Sequence, residues 1–370
     1  MALKVLLAGG GTGGHVYPLI AVAEALLEQS ADTEIRFIGT GELLHKEVFE
    51  AEFRDYKILA PKWRRYFSFY NFLDFFKIPI GFLQTFFIML WYMPDVVFAK
   101  GGYGSFFPLL MAKIMFIPVV VHDSDSVPGA VNRWFGRGAK RVFLGFEEAK
   151  QYFKHDRVQV VGNPLRKSFL KVISKDQAQN AFNVPGDKPV LFITGATSGA
   201  QEVNDSIILS LVDLTKHYYI IHQCGTKSYD EISKRVEKII QEEEGAIGET
   251  IKKDYKVYAS FNAQQMAAAY SAADVVISRS GSNVFDLAAL SKPSILVPLP
   301  TSASNHQFIN AQVLSKYGAI VITEKNFTTH ILLEVIAKVY ENRFELSTKI
   351  KEFAKLDAGN EIARYLLGGK

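Results

Sequence analysis

The 370-residue sequence contains one cysteine, Cys224. A single thiol excludes a disulfide framework and a cysteine-rich metal centre, and it suits a reducing compartment, the cytoplasm. Blocks of one charge are also missing. There are 42 basic and 38 acidic residues and a net charge of +4, with no run of lysine and arginine, so nucleic acid is not expected as a partner. No repeat of solenoid period occurs. No apolar run reaches the roughly 20 residues of a spanning helix. The most apolar stretch, Ile78 to Met93, carries Pro79, Gly81 and Gln84 and reads as a helix lying against a core or a membrane surface. The opening segment, Met1 to Ala8, is too short in apolar residues for a secretory signal and runs straight into glycines, so it reads as a first strand.

What is present is alternation. Short runs of Val, Ile, Leu and Phe at Lys4–Ala8, Glu34–Ile38, Val96–Ala99 and Val119–Val121 alternate with amphipathic stretches such as Pro18–Glu28. Unbroken apolar runs suit parallel strands covered on both faces, and strand-helix alternation predicts a doubly wound α/β sheet. The pattern restarts after Gly162-Asn163-Pro164, with strands expected at Val190–Thr194, Tyr218–His222, Lys256–Ala259, Asp274–Ser278, Ser294–Val297 and Ala319–Ile322. Two Rossmann-like domains are expected, 1–163 and 164–349, facing across a cleft that holds a phosphate-bearing substrate.

Six segments carry chemistry. Gly9-Gly10-Gly11-Thr12-Gly13-Gly14-His15 runs from strand to helix, where glycines allow close approach and a helix N-terminus offers unpaired N–H groups. Gly9, Gly11 and Gly14 satisfy G-x-G-x-x-G, which raises a nicotinamide-dependent oxidoreductase as an alternative. That reading expects an acidic residue closing the second strand, and the strand here ends Phe37-Ile38-Gly39-Thr40. His15, at the helix start, is a candidate general base or a histidine bonded to backbone. Lys100-Gly101-Gly102-Tyr103-Gly104-Ser105 is an anion-binding turn or a packing turn. His122-Asp123-Ser124-Asp125 leaves a buried strand; a metal on His122, Asp123 and Asp125 is weakly supported, and one aspartate could cap the next helix. Arg166, in Gly162–Arg166, could grip a pyrophosphate or form an ion pair. In Ser278–Asp286, backbone N–H groups at Gly281, Ser282 and Asn283 could meet phosphate, as could the Thr197-Ser198-Gly199 loop, and Ser282 and Asn283 could cap the helix. Asp286 could accept ribose hydroxyls or compensate a helix dipole. The polar segment Thr301–Asn310, with Gln307 and Asn310, suits a sugar or a solvated loop.

In this order the segments resemble the MurG-type glycosyltransferases of peptidoglycan synthesis. GGGTGGHVYP at 9–18, HDSDSVPGAVNR at 122–133, GNPLR at 162–166 and RSGSNVFDLAALSKP at 279–293 carry the resemblance, which spans nearly the whole chain. It implies a GT-B fold whose last helix, about 350–370, crosses back to the N-terminal domain. It implies inverting transfer of GlcNAc from UDP-GlcNAc to lipid I, giving lipid II, without a covalent intermediate and without a metal or other cofactor. Thr12, Gly13, Gly14, Tyr103 and Asp125 would then line the acceptor side, with His15 and Asp123 as catalytic candidates. Arg166, Thr197, Ser198 and Gly199 would meet the donor diphosphate, Phe261 and Ala263 the uracil, Gly281, Ser282, Asn283 and Asp286 the phosphate and ribose, and Gln307 and Asn310 the GlcNAc. The usual His-Glu is here His122-Asp123, and Asp286 stands where the family has glutamate.

Weighed alongside are a glycosyltransferase with another lipid acceptor, such as a diacylglycerol or polyisoprenyl phosphate, and an inactive nucleotide-sugar-binding protein. A lipid-linked acceptor implies peripheral attachment to the inner face of the plasma membrane, with cell-wall synthesis proteins as candidate partners. Lys62-Trp63-Arg64-Arg65-Tyr66-Phe67, followed by Phe69, Tyr70, Phe72, Phe75, Phe76 and Lys77, mixes rings and cations and is expected to dock on anionic lipid. Phe82, Phe86, Phe87 and Leu90 are expected to be core.

Overall fold

A computed structural model describes residues 2–61, 69–167, 173–186, 188–195, 200–243 and 245–369. The chain divides into two compact units, Met1–Arg166 together with Lys355–Lys370, and Lys167–Ala354.

The first unit runs β1 (Lys4–Gly10), α1 (Gly13–Gln29), β2 (Glu34–Thr40), α2 (Glu42–Glu50), β3 (Arg54–Lys57), α3 (Phe69–Tyr92), β4 (Val96–Ala99), α4 (Phe106–Ile114), β5 (Val119–Asp123), α5 (Ala130–Gly136), β6 (Arg141–Leu144) and β7 (Val158–Val160). Its strands pair in parallel in the order β3-β2-β1-β4-β5-β6-β7. Order reverses between β1 and β4, so the loops leaving these two strands flank a switch point, where open α/β sheets bind ligands. One face of the sheet packs Leu7, Phe37 and Phe98 against α1; the other packs Leu6, Val97 and Val121 against α3 and α4.

The second unit runs α6 (Lys175–Ala181), β8 (Val190–Thr194), α7 (Gln201–Leu209), α8 (Leu211–His217), β9 (Tyr219–Gln223), α9 (Tyr229–Glu242), α10 (Ala246–Asp254), β10 (Tyr255–Tyr258), α11 (Ala263–Ala272), β11 (Val275–Ser278), α12 (Val284–Ala289), β12 (Ser294–Leu296), α13 (His306–Ser315), β13 (Ile320–Val321), α14 (Thr329–Glu341) and α15 (Arg343–Lys351). Its parallel order is β10-β9-β8-β11-β12-β13, with the reversal between β8 and β11. The final helix, α16 (Ala358–Leu366), belongs to the first unit, where Ala358, Ile362, Ala363 and Leu366 join the core against α1. Helix-covered parallel sheets in both units are the GT-B class of architecture.

α3 differs from its expected burial. Met89, Thr85 and Tyr92 are buried and Phe82 and Phe86 pack on the core, but Phe76, Ile80, Leu83, Phe87, Leu90 and Trp91 are exposed. Phe87 and Leu90 were expected to be core. Phe87 lies on the helix face opposite Met89 and Leu90 on its flank, both turned away from the sheet. No described helix is long and apolar enough to cross a membrane.

Candidate active site

At the switch point of the first unit three loops meet through glycine. A Cβ on Gly10 would lie 2.1 Å from the Thr40 carbonyl oxygen, one on Gly39 1.9 Å from that of Gly9, and one on Gly104 2.4 Å from the same oxygen. Gly10 also has φ of +125°. These glycines therefore let backbones pack against each other, where the sequence suggested ligand approach for Gly10 and left the turn of Gly104 open between anion binding and packing. The same packing explains why β2 carries glycine at position 39. The Lys100–Ser105 segment is a packing turn in the same sense, with the Ser105 hydroxyl donating to the carbonyls of Ala8 and Gly101.

The open side of this junction carries the polar groups. Thr12 is the N-cap of α1, with no side-chain bond to the backbone. Its hydroxyl lies 3.1 Å from His15 Nδ1 instead. Gly102 lies against the His15 ring, with a Cβ there 3.6 Å from Nε2, and Tyr103 lies over Gly11. Gly13 and Gly14 open α1, whose first N–H groups have no partner within the helix. Thr12, Gly13, Gly14, His15 and Tyr103 are thus brought together.

Asp123 and Asp125 follow at the end of β5, and here roles diverge. Asp123 is buried and accepts from the N–H of Asp125 at 3.0 Å, the N–H of Gly129 at 2.9 Å and Asn132 Nδ2 at 2.8 Å. Burial, reinforced by the Asp125 charge, pushes its carboxyl up to about 6. It pins its own turn, so it is a positioning group here, not an open proton acceptor. Neither aspartate is the helix cap; Gly129 is. His122 is fully buried, with Nδ1 2.6 Å from Lys100 Nζ and Nε2 2.8 Å from the Gly162 carbonyl oxygen. With both nitrogens engaged it is no metal ligand, and no cluster of three metal-ligating groups occurs among the described residues. Lys100, fully buried beside it, was missed by sequence reasoning, which read it as the edge of a glycine turn.

Arg166 falls in the first unit, three residues past the expected boundary. Its guanidinium pairs with Glu47 at 3.2 Å and lies over the Tyr17 ring at 4.3 Å, while the Tyr17 hydroxyl donates to Glu47 at 3.4 Å. The expected pyrophosphate grip is therefore occupied by an ion pair in this structure.

In the second unit the loops leaving β8 and β11 flank the switch point. Thr197, Ser198 and Gly199 lie outside the described residues. Gly281, Ser282 and Asn283 lead into α12, of which Asn283 is the N-cap without a side-chain cap bond, correcting the expected capping role. Asp286 sits in the first turn, partly buried. Gln307 is held: its Oε1 accepts from the Leu299 N–H at 3.0 Å, and its carbonyl accepts from the Ser280 hydroxyl at 2.8 Å. Asn310 is fully buried and donates to the Ser280 carbonyl at 3.0 Å, so it braces the β11 loop and does not present its amide to a sugar. Phe261 is buried among Phe182, Phe192 and Tyr258, and Ala263 opens α11 behind the Asn262 cap.

Family models match both units: the glycosyltransferase family 28 N-terminal domain over residues 5–144 and the family 28 C-terminal domain over residues 190–363. The chain belongs to glycosyltransferase family 28. Relatives named UDP-N-acetylglucosamine--N-acetylmuramyl-(pentapeptide) pyrophosphoryl-undecaprenol N-acetylglucosamine transferase agree over nearly their full length. The one from Treponema denticola is 33% identical, covering 96% of this chain and 93% of its own, and the one from Clostridium kluyveri is 34% identical over 98% of each. Among solved structures, Acinetobacter baumannii MurG matches with a TM-score of 0.71 at 24% identity over 99% of both chains. A UDP-GlcNAc 2-epimerase from Neisseria meningitidis matches at 0.69 and 15% identity over the whole of both chains. These two likenesses show the fold, which family 28 shares with an epimerase, so the activity must be argued from sites.

Proposed function

We propose that this family 28 glycosyltransferase moves GlcNAc from UDP-GlcNAc to an undecaprenyl-pyrophosphoryl-linked N-acetylmuramyl pentapeptide. Full-length relatedness to transferases of that name supports the substrates. The observation that carries the chemistry is His15, placed at a helix N-terminus with Nδ1 on Thr12 and its ring over Gly102 at a switch point. A sugar hydroxyl is a poor nucleophile, and inverting transfer needs its proton accepted as the new bond forms. His15 is the base in this reading. The acceptor oxygen attacks the anomeric carbon, the bond to the UDP oxygen breaks, and the proton passes to the imidazole. Thr12 fixes the ring, and the glycine-loop N–H groups hold acceptor oxygens.

UDP-GlcNAc is assigned to the second unit, with Gly281, Ser282 and Asn283 offering N–H groups to phosphate, Asp286 accepting a ribose hydroxyl, Phe261 and Ala263 beside uracil and Gln307 toward GlcNAc. Thr197, Ser198 and Gly199 complete the expected diphosphate loop. Arg166 reaches a diphosphate only by exchanging Glu47 for it. Developing charge on the leaving UDP is met by N–H groups and arginine, with no metal required. The test is turnover of UDP-GlcNAc with a short-chain lipid I analogue. A lipid-linked disaccharide is expected; UDP release without it, or none at all, sinks the assignment.

The acceptor lies in a membrane, and the exposed face of α3 is the surface we assign to it. Phe76, Ile80, Leu83, Phe87 and Leu90 recur every three or four residues, with Trp91 beside them. Ile114, at the end of α4, and Phe116 just after it are exposed too. Such a face suits peripheral binding at the headgroup boundary of the inner leaflet. The Lys62–Phe67 patch lies outside the described residues, as do the side chains of Phe69, Tyr70, Phe72 and Phe75.

A further inference from the structure

The second unit has a cavity at the end of its sheet opposite the donor loops. It is lined by the residues that lead into three strands, Pro189 before β8, Asp274 before β11 and Pro293 before β12. β8 is five residues long, so roughly 17 Å of strand lies between this cavity and the loops at the switch point. α6 contributes Lys175, the end of α14 contributes Tyr340, and α15 contributes Arg343, Phe344 and Ser347. The cavity volume is about 510 Å³, in the range that small ligands fill.

Four cations line this cavity, and they are of two kinds. Lys175 and Lys188 are neutralised, with Lys175 Nζ 2.5 Å from Asp274 Oδ1 and Lys188 Nζ 2.6 Å from Asp254 Oδ2. Lys292 and Arg343 form no ion pair among the described residues. Lys292 follows α12, which ends at Ser291 with φ of +54°, and its N–H returns to the Leu287 carbonyl at 2.8 Å, so its backbone is fixed. Its Nζ donates to the Ala273 carbonyl at 3.0 Å and to that of Ser271 at 3.3 Å. These two bonds leave an N–H of the ammonium over. Arg343 donates from Nη1 to the Tyr340 carbonyl at 2.8 Å, and its guanidinium lies 4.1 Å from the Tyr340 ring centroid and 4.4 Å from that of Phe344. The rings orient the guanidinium plane, and its remaining N–H groups are uncommitted among the described residues. Ser347, one turn along α15, donates to the Ser291 carbonyl at 2.7 Å, which ties the helix of Arg343 to the residue before Lys292. Asp176, exposed in the first turn of α6, is the other carboxylate among the described lining residues.

We propose that this cavity is a second anion site, which takes a small soluble ligand carrying two or more phosphate charges. The oriented fork of Arg343 grips one phosphate through paired donors, and Lys292 meets the other as a point charge. Burial lowers the Lys292 ammonium to about 8, and a bound anion offsets that cost. Phe344 is the only exposed large hydrophobic side chain among the described lining residues, so the cavity has no apolar stripe for a lipid chain. The site stands apart from Asp286, Gln307 and the loops leaving β8 and β11, and it does not depend on the proposed function.

The probe is inorganic pyrophosphate, titrated calorimetrically into the full chain already saturated with UDP, so that the donor site is filled. Saturable binding is expected at physiological ionic strength. Arg343→Ala and Lys292→Met should each raise the pyrophosphate Kd tenfold or more, with the affinity for UDP unchanged. A merely structural role, in which Lys292 only covers the carbonyls at the end of α11, would lower the thermal midpoint and leave pyrophosphate binding intact. That result overturns the proposal, as does the absence of saturable binding beyond UDP. If Lys292→Met does not fold, Arg343→Ala decides, because its side chain is half-exposed. Short-chain phosphatidate is the second arm and should bind more weakly than pyrophosphate; tighter binding would mark a lipid headgroup site and overturn the assignment to a soluble ligand. Failure of UDP itself to bind would count against the proposed function, whereas pyrophosphate binding that is lost in Arg343→Ala would still establish this site.

Discussion

The sequence puts His15 first as the base and Asp123 next, and their surroundings differ in the same sense. Asp123 has its oxygens committed to Asp125, Gly129 and Asn132, whereas His15 commits Nδ1 to Thr12 with Nε2 over Gly102. His15→Ala should lower kcat by roughly 10²–10⁴-fold with UDP binding intact, read by steady-state kinetics and a UDP titration. A kcat within a few-fold of the unmodified enzyme would return the role to Asp123. Asp286, partly buried in the first turn of α12, faces a different demand. If it accepts a ribose hydroxyl, Asp286→Ala removes a charged acceptor worth about 1.5–3 kcal/mol, and donor KM should rise about tenfold or more. An unchanged donor KM would leave Asp286 with its helix-dipole role alone.

Elements repeat the lesson on a larger scale. Val96–Ala99 and Val190–Thr194 have the strand bounds their apolar runs predict, because a strand buried on both faces needs no alternation. β3, Arg-Asp-Tyr-Lys, and β7, Val-Gln-Val, gave no such signal, since edge strands are half solvated and polar. α3 was legible as a helix, and its exposed stripe was not, because an apolar stretch does not say which side the sheet will cover. Leu83→Ser together with Phe87→Ser should weaken sedimentation with cardiolipin-containing vesicles several-fold and leave the thermal midpoint nearly unchanged, as both side chains are more than half exposed. Undiminished sedimentation would remove this face from the membrane contact. In the glycine junction the outcome is the reverse. Gly10→Ala should destabilise the first unit by several kcal/mol, checked by denaturant unfolding, because the new Cβ would meet the Thr40 carbonyl at 2.1 Å with φ already positive.

At the scale of the whole molecule, each unit buries a histidine next to its sheet. His222 is held between Tyr255 and Asn204, and burial lowers its pKa to about 3 from an ordinary 6.5. The folded protein therefore refuses a proton that the unfolded chain accepts. Stability from His222 is complete above about 6.5 and declines as pH falls from there toward about 3; His122 acts in the same direction. The thermal midpoint should fall steeply between pH 6.5 and 4, and His222→Gln should flatten that fall; an equal slope in both proteins would show that carboxylates dominate instead. Donor binding is also a property of the whole chain. UDP-GlcNAc in excess should raise the midpoint by mass action and NADH should not, since the β2 end offers glycine where a nicotinamide enzyme offers an acid.

The sequence by itself determined the α/β class, the restart of the pattern near Asn163, the strand-to-helix position of each glycine turn and the family whose motifs they carry. These follow from local periodicity and from residues whose backbone freedom is intrinsic. The tertiary structure alone decided that Gly10, Gly39 and Gly104 are there to pack backbones, that Arg166 rests on Glu47 and Tyr17, that Asn310 is a buried brace, and that Lys100 stands against His122. Each depends on groups far apart in the chain that meet only once the parallel strands are in register. A parallel sheet draws its neighbours from across long crossovers, so no local pattern records them.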